Sequence, residues 1–292
     1  MGHRVTFDNG YYAFPTQREL FDFFGKRRWY DIEEGAAEYA DTDTGVYFEF
    51  GWEPGPEEEV PVQGMSFEIR YGRPSVFGRE AAEELDALGE AFEGLQVVEG
   101  FEQEGPVAGA PFVKAWERAN RMAVRVIGQR EGVEPPLTVD DETRESVWRW
   151  NRHRQEYQTD LGDGIFVPRI SFFEREGGVE TGIIWTDGIP VALPEVDLVV
   201  MALAAEDEEG QKVEPRLVPH EQLYAEVAGE FDERDEPRAH LLARFEQVPK
   251  ELLGQLLDEA EIADPEELSA LAGERVFEGG LVEQLEAGLT ER

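Results

Sequence analysis

Arg154, Asn151 and Asn120 are polar side chains set on helix faces that otherwise read as apolar, and Asp197 is a carboxylate just inside an apolar strand. Together these groups could do one kind of chemistry. A guanidinium held in a pocket wall grips a carboxylate or phosphate in a bidentate fork. Two carboxamides add paired donors and acceptors, and a carboxylate can act as a catalytic acid. Trp148 lies close to Asn151, and Trp116 lies one helical turn before Asn120, so the set has the make-up of a small-ligand pocket between indole walls. Each residue also has a structural reading. Arg154 can lay its methylenes on the core or pair with a carboxylate, each Asn can hold a buried hydrogen bond, and Asp197 can pair with Arg169 or Arg154. The two readings part on whether the four polar side chains share one cleft.

Two helices must deliver these groups. Thr138 followed by Asp141 has the spacing of a capping box and predicts a long helix, with Val147, Trp150, Tyr157 and Leu161 on one stripe. Arg149, Arg152, Glu145 and Glu156 fall on the other side, and Gly162 and Gly164 supply the stop. The dense run from Ile165 to Phe173 then reads as a core strand with Pro168 as a bulge or edge. Pro111 opens the second helix, with Phe112, Trp116, Ala119, Ala123, Val126 and Ile127 on its apolar face. Before this pair, strands are expected at Arg4–Asp8, Trp29–Ile32, Val46–Trp52, Met65–Tyr71 and Leu95–Val98, with helices near 17–24 and 75–92. After it, a hairpin at Gly177–Gly178 and a turn at Asp187–Gly188 lead into the apolar run Val196–Leu203, a central strand, and a short helix at Pro219–Val227.

The expected class is α+β, with largely antiparallel sheets, helices packed on one side, two lobes joined by a central helix pair, and a helical C-terminal tail. The boundaries are 1–108, 109–162, 163–229 and 230–292, the last an acidic tail in which Asp264-Pro265-Glu266-Glu267 reads as an N-cap and Gly279–Gly280 as a break. The stretch Glu206–Arg216 has little to bury and reads as a mobile loop that a protease specific for basic residues would cut at Lys212 or Arg216.

The chain carries 65 acids against 27 bases, a formal net charge of -38 spread along its 292 residues. Nucleic acid is therefore not an expected ligand, because phosphate contacts need clustered Lys and Arg. Such a charge reflects either adaptation to a salty cytoplasm or a surface that meets a basic protein partner. Cysteine is absent, which excludes disulfides, thiolate catalysis and Cys-based metal sites, and His3, His153, His220 and His240 show no ligand spacing. No metal and no cofactor is expected. No apolar run approaches the ~18 residues needed to span a bilayer, so no membrane partner is expected and cytoplasm is the expected address. Oligomeric state is not readable from these residues.

Asp43-Thr44-Gly45-Val46-Tyr47-Phe48, Trp148-Arg149-Trp150-Asn151, Phe166-Val167-Pro168-Arg169-Ile170 and the Trp185–Val199 segment are similar to a family of uncharacterised soluble bacterial proteins over most of the chain. The resemblance implies an intracellular bacterial protein and transfers no catalytic residue. In general look the chain also resembles immunity-type proteins that accompany bacterial toxins. Motifs for nucleotide, serine-hydrolase, kinase or HExxH chemistry are missing. Two expectations follow: a non-enzymatic inhibitor or regulator that binds another protein, or a hydrolase-type enzyme with a carboxylate- and Arg-lined pocket near the central helices.

Overall fold

The computed structural model describes residues 2–10, 13–102, 104–128, 136–175, 177–186, 189–202, 204–205, 212–213, 215–227, 232–235, 238–242, 250–262 and 268–282. Helices and mostly antiparallel sheets make the fold α+β. The chain falls into two compact units, 1–136 with 274–292, and 137–273, so the expected helix pair contributes one helix to each.

The first unit runs β1 (Gly2–Asp8), α1 (Gln17–Phe24), β2 (Tyr30–Glu33), β3 (Ala36–Ala40), β4 (Tyr47–Trp52), β5 (Met65–Arg70), α2 (Val76–Ala91), β6 (Gln96–Glu99), β7 (Gly105–Pro106) and α3 (Gly109–Gly128). Its strands form a seven-stranded sheet in the order β2-β3-β4-β5-β1-β6-β7, with every neighbouring pair antiparallel. Successive side chains along a strand point to opposite faces, so alternating sequence gives one apolar and one polar face. Val5, Phe7, Tyr39, Phe48, Phe50, Phe67 and Ile69 are all buried, and so are Leu20 and Phe24 of α1, Phe77 and Leu85 of α2, and Phe112 and Trp116 of α3. Phe24 meets Phe50 at 5.2 Å between ring centroids and Phe112 meets Phe67 at 5.3 Å, which puts the helices on this one face. Each such side chain contributes about 1.5–3 kcal/mol on leaving water.

Local chemistry sets where the helices start and how close they come. Thr16 Oγ1 accepts from the Glu19 amide at 3.2 Å while Glu19 Oε2 accepts from the Thr16 amide at 2.8 Å, a reciprocal box that opens α1. Gly78 lets α3 approach α2, because a Cβ there would sit 2.5 Å from Cε3 of Trp116.

The second unit runs β8 (Leu137–Val139), α4 (Asp141–Leu161), β9 (Ser171–Arg175), β10 (Gly178–Thr186), β11 (Val191–Pro194), β12 (Leu198–Ala202), β13 (Ala204–Ala205), β14 (Lys212–Val213), β15 (Arg216–Pro219), α5 (His220–Val227), β16 (Asp232–Asp235), β17 (Arg238–Leu242), α6 (Lys250–Glu259) and β18 (Glu261–Ile262). A five-stranded sheet has the order β18-β15-β12-β10-β9, so the apolar run at Leu198 is its middle strand, and β10 and β12 pair in parallel. A three-stranded sheet, β11-β17-β16, and the β13-β14 pair complete the unit.

Several expectations change. The cap of α4 is Asp140, which accepts from the Thr143 amide at 2.8 Å; Thr138 belongs to β8. The Thr143 hydroxyl bond comes first among the causes that hold the Asp140 carboxyl below its ordinary range. The segment expected as a helical tail holds the strands β16, β17 and β18 as well as α6, and residues 279–282 are helical where a break was expected. No alternation announces this strand pair, since Asp232 to Asp235 are all charged, so the periodicity of the sequence does not reveal it. Asp187–Gly188 and Asp264–Glu267 lie outside the described residues.

Candidate functional site

Each polar residue expected at a pocket wall instead serves backbone within its own unit. Asn120 Oδ1 accepts from the Gly72 amide at 2.7 Å and the Arg73 amide at 3.2 Å, and its Nδ2 donates to the Arg73 carbonyl at 2.7 Å. The carboxamide thus ties down the turn that follows β5. In the second unit α4 does the same for the chain at 165–170, which meets a strand only through the Phe166 bridge to Val191. Asn151 Oδ1 accepts from the Ile170 amide at 2.9 Å and its Nδ2 donates to the Ile170 carbonyl at 2.8 Å. Trp150 Nε1 donates to the Pro168 carbonyl at 2.7 Å, and Arg154 Nη1 to the Val167 carbonyl at 3.1 Å. Gln158 completes the series by accepting from the Val167 amide at 3.1 Å and donating to the Ile165 carbonyl at 2.8 Å. A row of side chains one helical turn apart therefore replaces the missing strand, and Pro168, which has no N–H, fits a position that needs only an acceptor filled.

Asp197 is exposed, and its Oδ2 accepts from the Thr181 amide and hydroxyl, both at 2.7 Å, so Thr181 takes the place expected for Arg169 or Arg154. Trp148 is half-buried on α4. Arg216 is in β15, where its guanidinium donates to the Ala260 carbonyl at 3.1 Å, and Lys212 is in β14; residues 206–211 lie outside the described residues. The expected loop is therefore structured at both of its basic positions. Among the described residues no group of three or more His, Asp or Glu is placed to hold a metal, and no helix is long and apolar enough to cross a membrane.

The face of the first sheet that the helices leave open carries a different arrangement. Asp31 of β2 stands opposite Glu38 of β3, Glu38 opposite Glu49 of β4, Glu49 opposite Glu68 of β5, and Glu68 opposite Arg4 of β1. All five are exposed, and none of the four carboxylates makes a hydrogen bond or ion pair with a described residue. Neighbouring strands lie ~4.8 Å apart, so the carboxylates form a row about 14 Å long across four strands. Like charges directly opposite one another destabilise a sheet, so cross-strand energetics do not account for this row.

Beside it lies a cavity of about 300 Å³ lined by Glu38, Tyr47, Phe48, Glu49, Glu68, Ile69 and Arg70. Tyr47 forms one wall. The Arg70 and Arg73 guanidinium carbons sit 5.8 Å and 5.5 Å from its ring centroid, and Arg73 Nε donates to its hydroxyl at 3.1 Å. Arginine thus bounds the acidic row at the Tyr47 side and, through Arg4, at the β1 end.

These residues were missed as a site, although a signal was present: Glu49 and Glu68 occupy the polar phase of two alternating strands. Comparison of the chain with family models, with curated proteins and with solved structures gives no match.

Proposed function

We propose that this chain is a non-enzymatic protein-binding protein, an inhibitor or regulator of the immunity type, whose open sheet face receives a basic partner. The observation that carries the reading is the row Asp31, Glu38, Glu49 and Glu68, four exposed carboxylates in direct register without a cation from the described residues. Charge complementarity of this sort steers encounter and sets specificity, and it weakens as salt rises. The half-buried Tyr47 adds an aromatic surface of the kind that anchors interfaces. The hydrolase reading drew on Asn120, Asn151, Arg154 and Asp197, each of which bonds a backbone group within its own unit.

The test titrates an oligo-arginine peptide against the protein and against the variant Glu38→Gln with Glu49→Gln and Glu68→Gln, at low and at molar salt. Removing three facing charges is expected to weaken binding at least about tenfold at low salt, with little difference between the proteins at molar salt. Equal affinity of protein and variant at low salt overturns the reading.

A further inference from the structure

We infer that the occupant of the open sheet face is a basic α-helix of the partner, laid along the carboxylate row so that one Lys or Arg per turn meets one carboxylate. This deepens the proposed function and rests on it. The row has a repeat set by the sheet: one carboxylate per strand, ~4.8 Å apart, over three intervals or about 14 Å. A helix bearing cations at i, i+4, i+7 and i+11 presents one per turn, ~5.4 Å apart, or about 16 Å over the same three intervals. An extended strand presents one every second residue, ~6.7 Å apart, or about 20 Å. With the peptide centred on the row, the end cations of a helix are displaced by about 1 Å and those of a strand by about 3 Å, so the helix needs the smaller side-chain excursion. The helix therefore meets all four carboxylates with less side-chain distortion than a strand.

The surroundings agree with a cylinder lying across the strands. The cavity between Glu38, Glu49 and Glu68 admits a long cationic side chain beside these three carboxylates. Arg4 ends the row at β1, so the partner helix stops its cations there or answers with an acid. The chain itself shows how such a stripe is built: α3 carries Lys114, Arg118, Arg121 and Arg125 at successive turns, all at least partly exposed.

Three peptides of equal length and equal arginine count separate the outcomes, each measured by fluorescence anisotropy at low salt. In the first, arginines in an Ala-rich helix form one stripe; in the second they are spread around the helix; the third alternates Arg with Thr in a β-forming order. The striped helix is expected to bind at least about tenfold tighter than the other two and to lose that advantage on the Glu38→Gln, Glu49→Gln, Glu68→Gln protein. Equal binding of all three, each weakened by the variant, overturns the helix and leaves the acidic face as the binding surface. Binding unaffected by the variant overturns both. Sedimentation of the protein alone addresses the remaining occupant. Self-association at low salt that disappears with Arg118→Glu and Arg121→Glu would seat a second copy's α3 on the row and overturn the assignment to a separate partner.

Discussion

The buried face of α4 and the open face of the first sheet both carry polar side chains and use them in opposite ways. On α4, Trp150, Asn151, Arg154 and Gln158 turn onto residues 165–170 and take up backbone groups at 2.7–3.1 Å. On the sheet, Asp31, Glu38, Glu49 and Glu68 turn away from the chain and meet no described cation. A polar residue alone on an apolar stripe is thus best understood through the backbone group that would otherwise be buried without a hydrogen bond. Groups available to a partner come from a phase of the sequence that carries no core residues, and become a site through register.

The most severe way to break the first half of this comparison is at Trp150, which loses both a buried ring and the bond to Pro168 on replacement. Trp150→Ala is expected to cost about 3–5 kcal/mol. Arg149→Ala, whose partner Glu145 lies one turn away on the exposed side, should cost under about 0.5 kcal/mol. Urea midpoints of the two variants check this, and equal midpoints would place the buried face of α4 elsewhere.

The carboxamides come next. Asn120→Ala leaves two amides and a carbonyl of Gly72 and Arg73 without their partner, and Asn151→Ala leaves the amide and carbonyl of Ile170. Unsatisfied buried groups cost roughly 1–3 kcal/mol each, so Asn120→Ala should lose at least about 3 kcal/mol and Asn151→Ala at least about 2 kcal/mol in chemical denaturation. If either retained full stability while losing a binding activity, that residue would be a ligand group after all.

How much of this was legible follows from which forces are local. The Thr16 and Glu19 box, the alternation through Tyr47–Trp52 and Met65–Arg70, and the apolar run at Leu198 are short-range patterns, and each yields the element it announces. Strand β3 does not announce itself, because Ala36, Ala37, Glu38 and Ala40 are weak strand formers held in place by the Gly35 turn at φ 90° and by Tyr39 stacking on Phe48 at 4.3 Å. With β3 unread, the register that aligns Asp31, Glu38 and Glu49 was out of reach. The burial of Arg144 on α4 was out of reach for a related reason. Its burial depends on the Gly273 carbonyl and on the Phe172 ring, 5.2 Å from its guanidinium carbon, both far away in sequence.

A buried titratable group in the sheet unit sharpens the comparison at lower cost. His3 is buried against Phe112, and its Nδ1 lies 2.7 Å from the Tyr71 hydroxyl. Desolvation lowers its pKa from 6.5, with the Gly100 backbone offsetting part of the fall, and burial raises that of Tyr71 from 10.0. In the unfolded chain His3 binds its proton at higher pH than in the fold. The stability from keeping it neutral is therefore complete above about 6.5 and is lost as pH falls below that value. Tyr71 has the opposite sense: its contribution is present below about 10 and is lost as pH rises further. Thermal melts should show a plateau between these values, and His3→Gln should flatten the acid limb alone. An acid limb unchanged by His3→Gln would assign it to carboxylates instead.

The smallest effect tests the sheet face without any partner, and its sign is the informative part. Glu49 faces Glu38 on one side and Glu68 on the other, so it feels two like charges at strand spacing. Glu49→Gln removes both repulsions and leaves the side chain's size and exposure nearly unchanged. Directly opposed pairs are worth roughly 0.2–1 kcal/mol each, so the variant should be more stable than the parent by some tenths to about 1 kcal/mol at low salt. Screening shortens the Debye length to ~3 Å at molar salt, less than the strand spacing, and the two proteins should then melt together. Glu34→Gln, a change of equal charge in the exposed turn between β2 and β3, is the control for the general repulsion of a chain with net charge -38. If Glu34→Gln stabilises as much as Glu49→Gln, the gain is global, and the row is one part of a uniformly acidic surface. A gain confined to Glu49→Gln shows that the sheet holds these carboxylates against their own repulsion, a strain that a bound cationic helix would relieve.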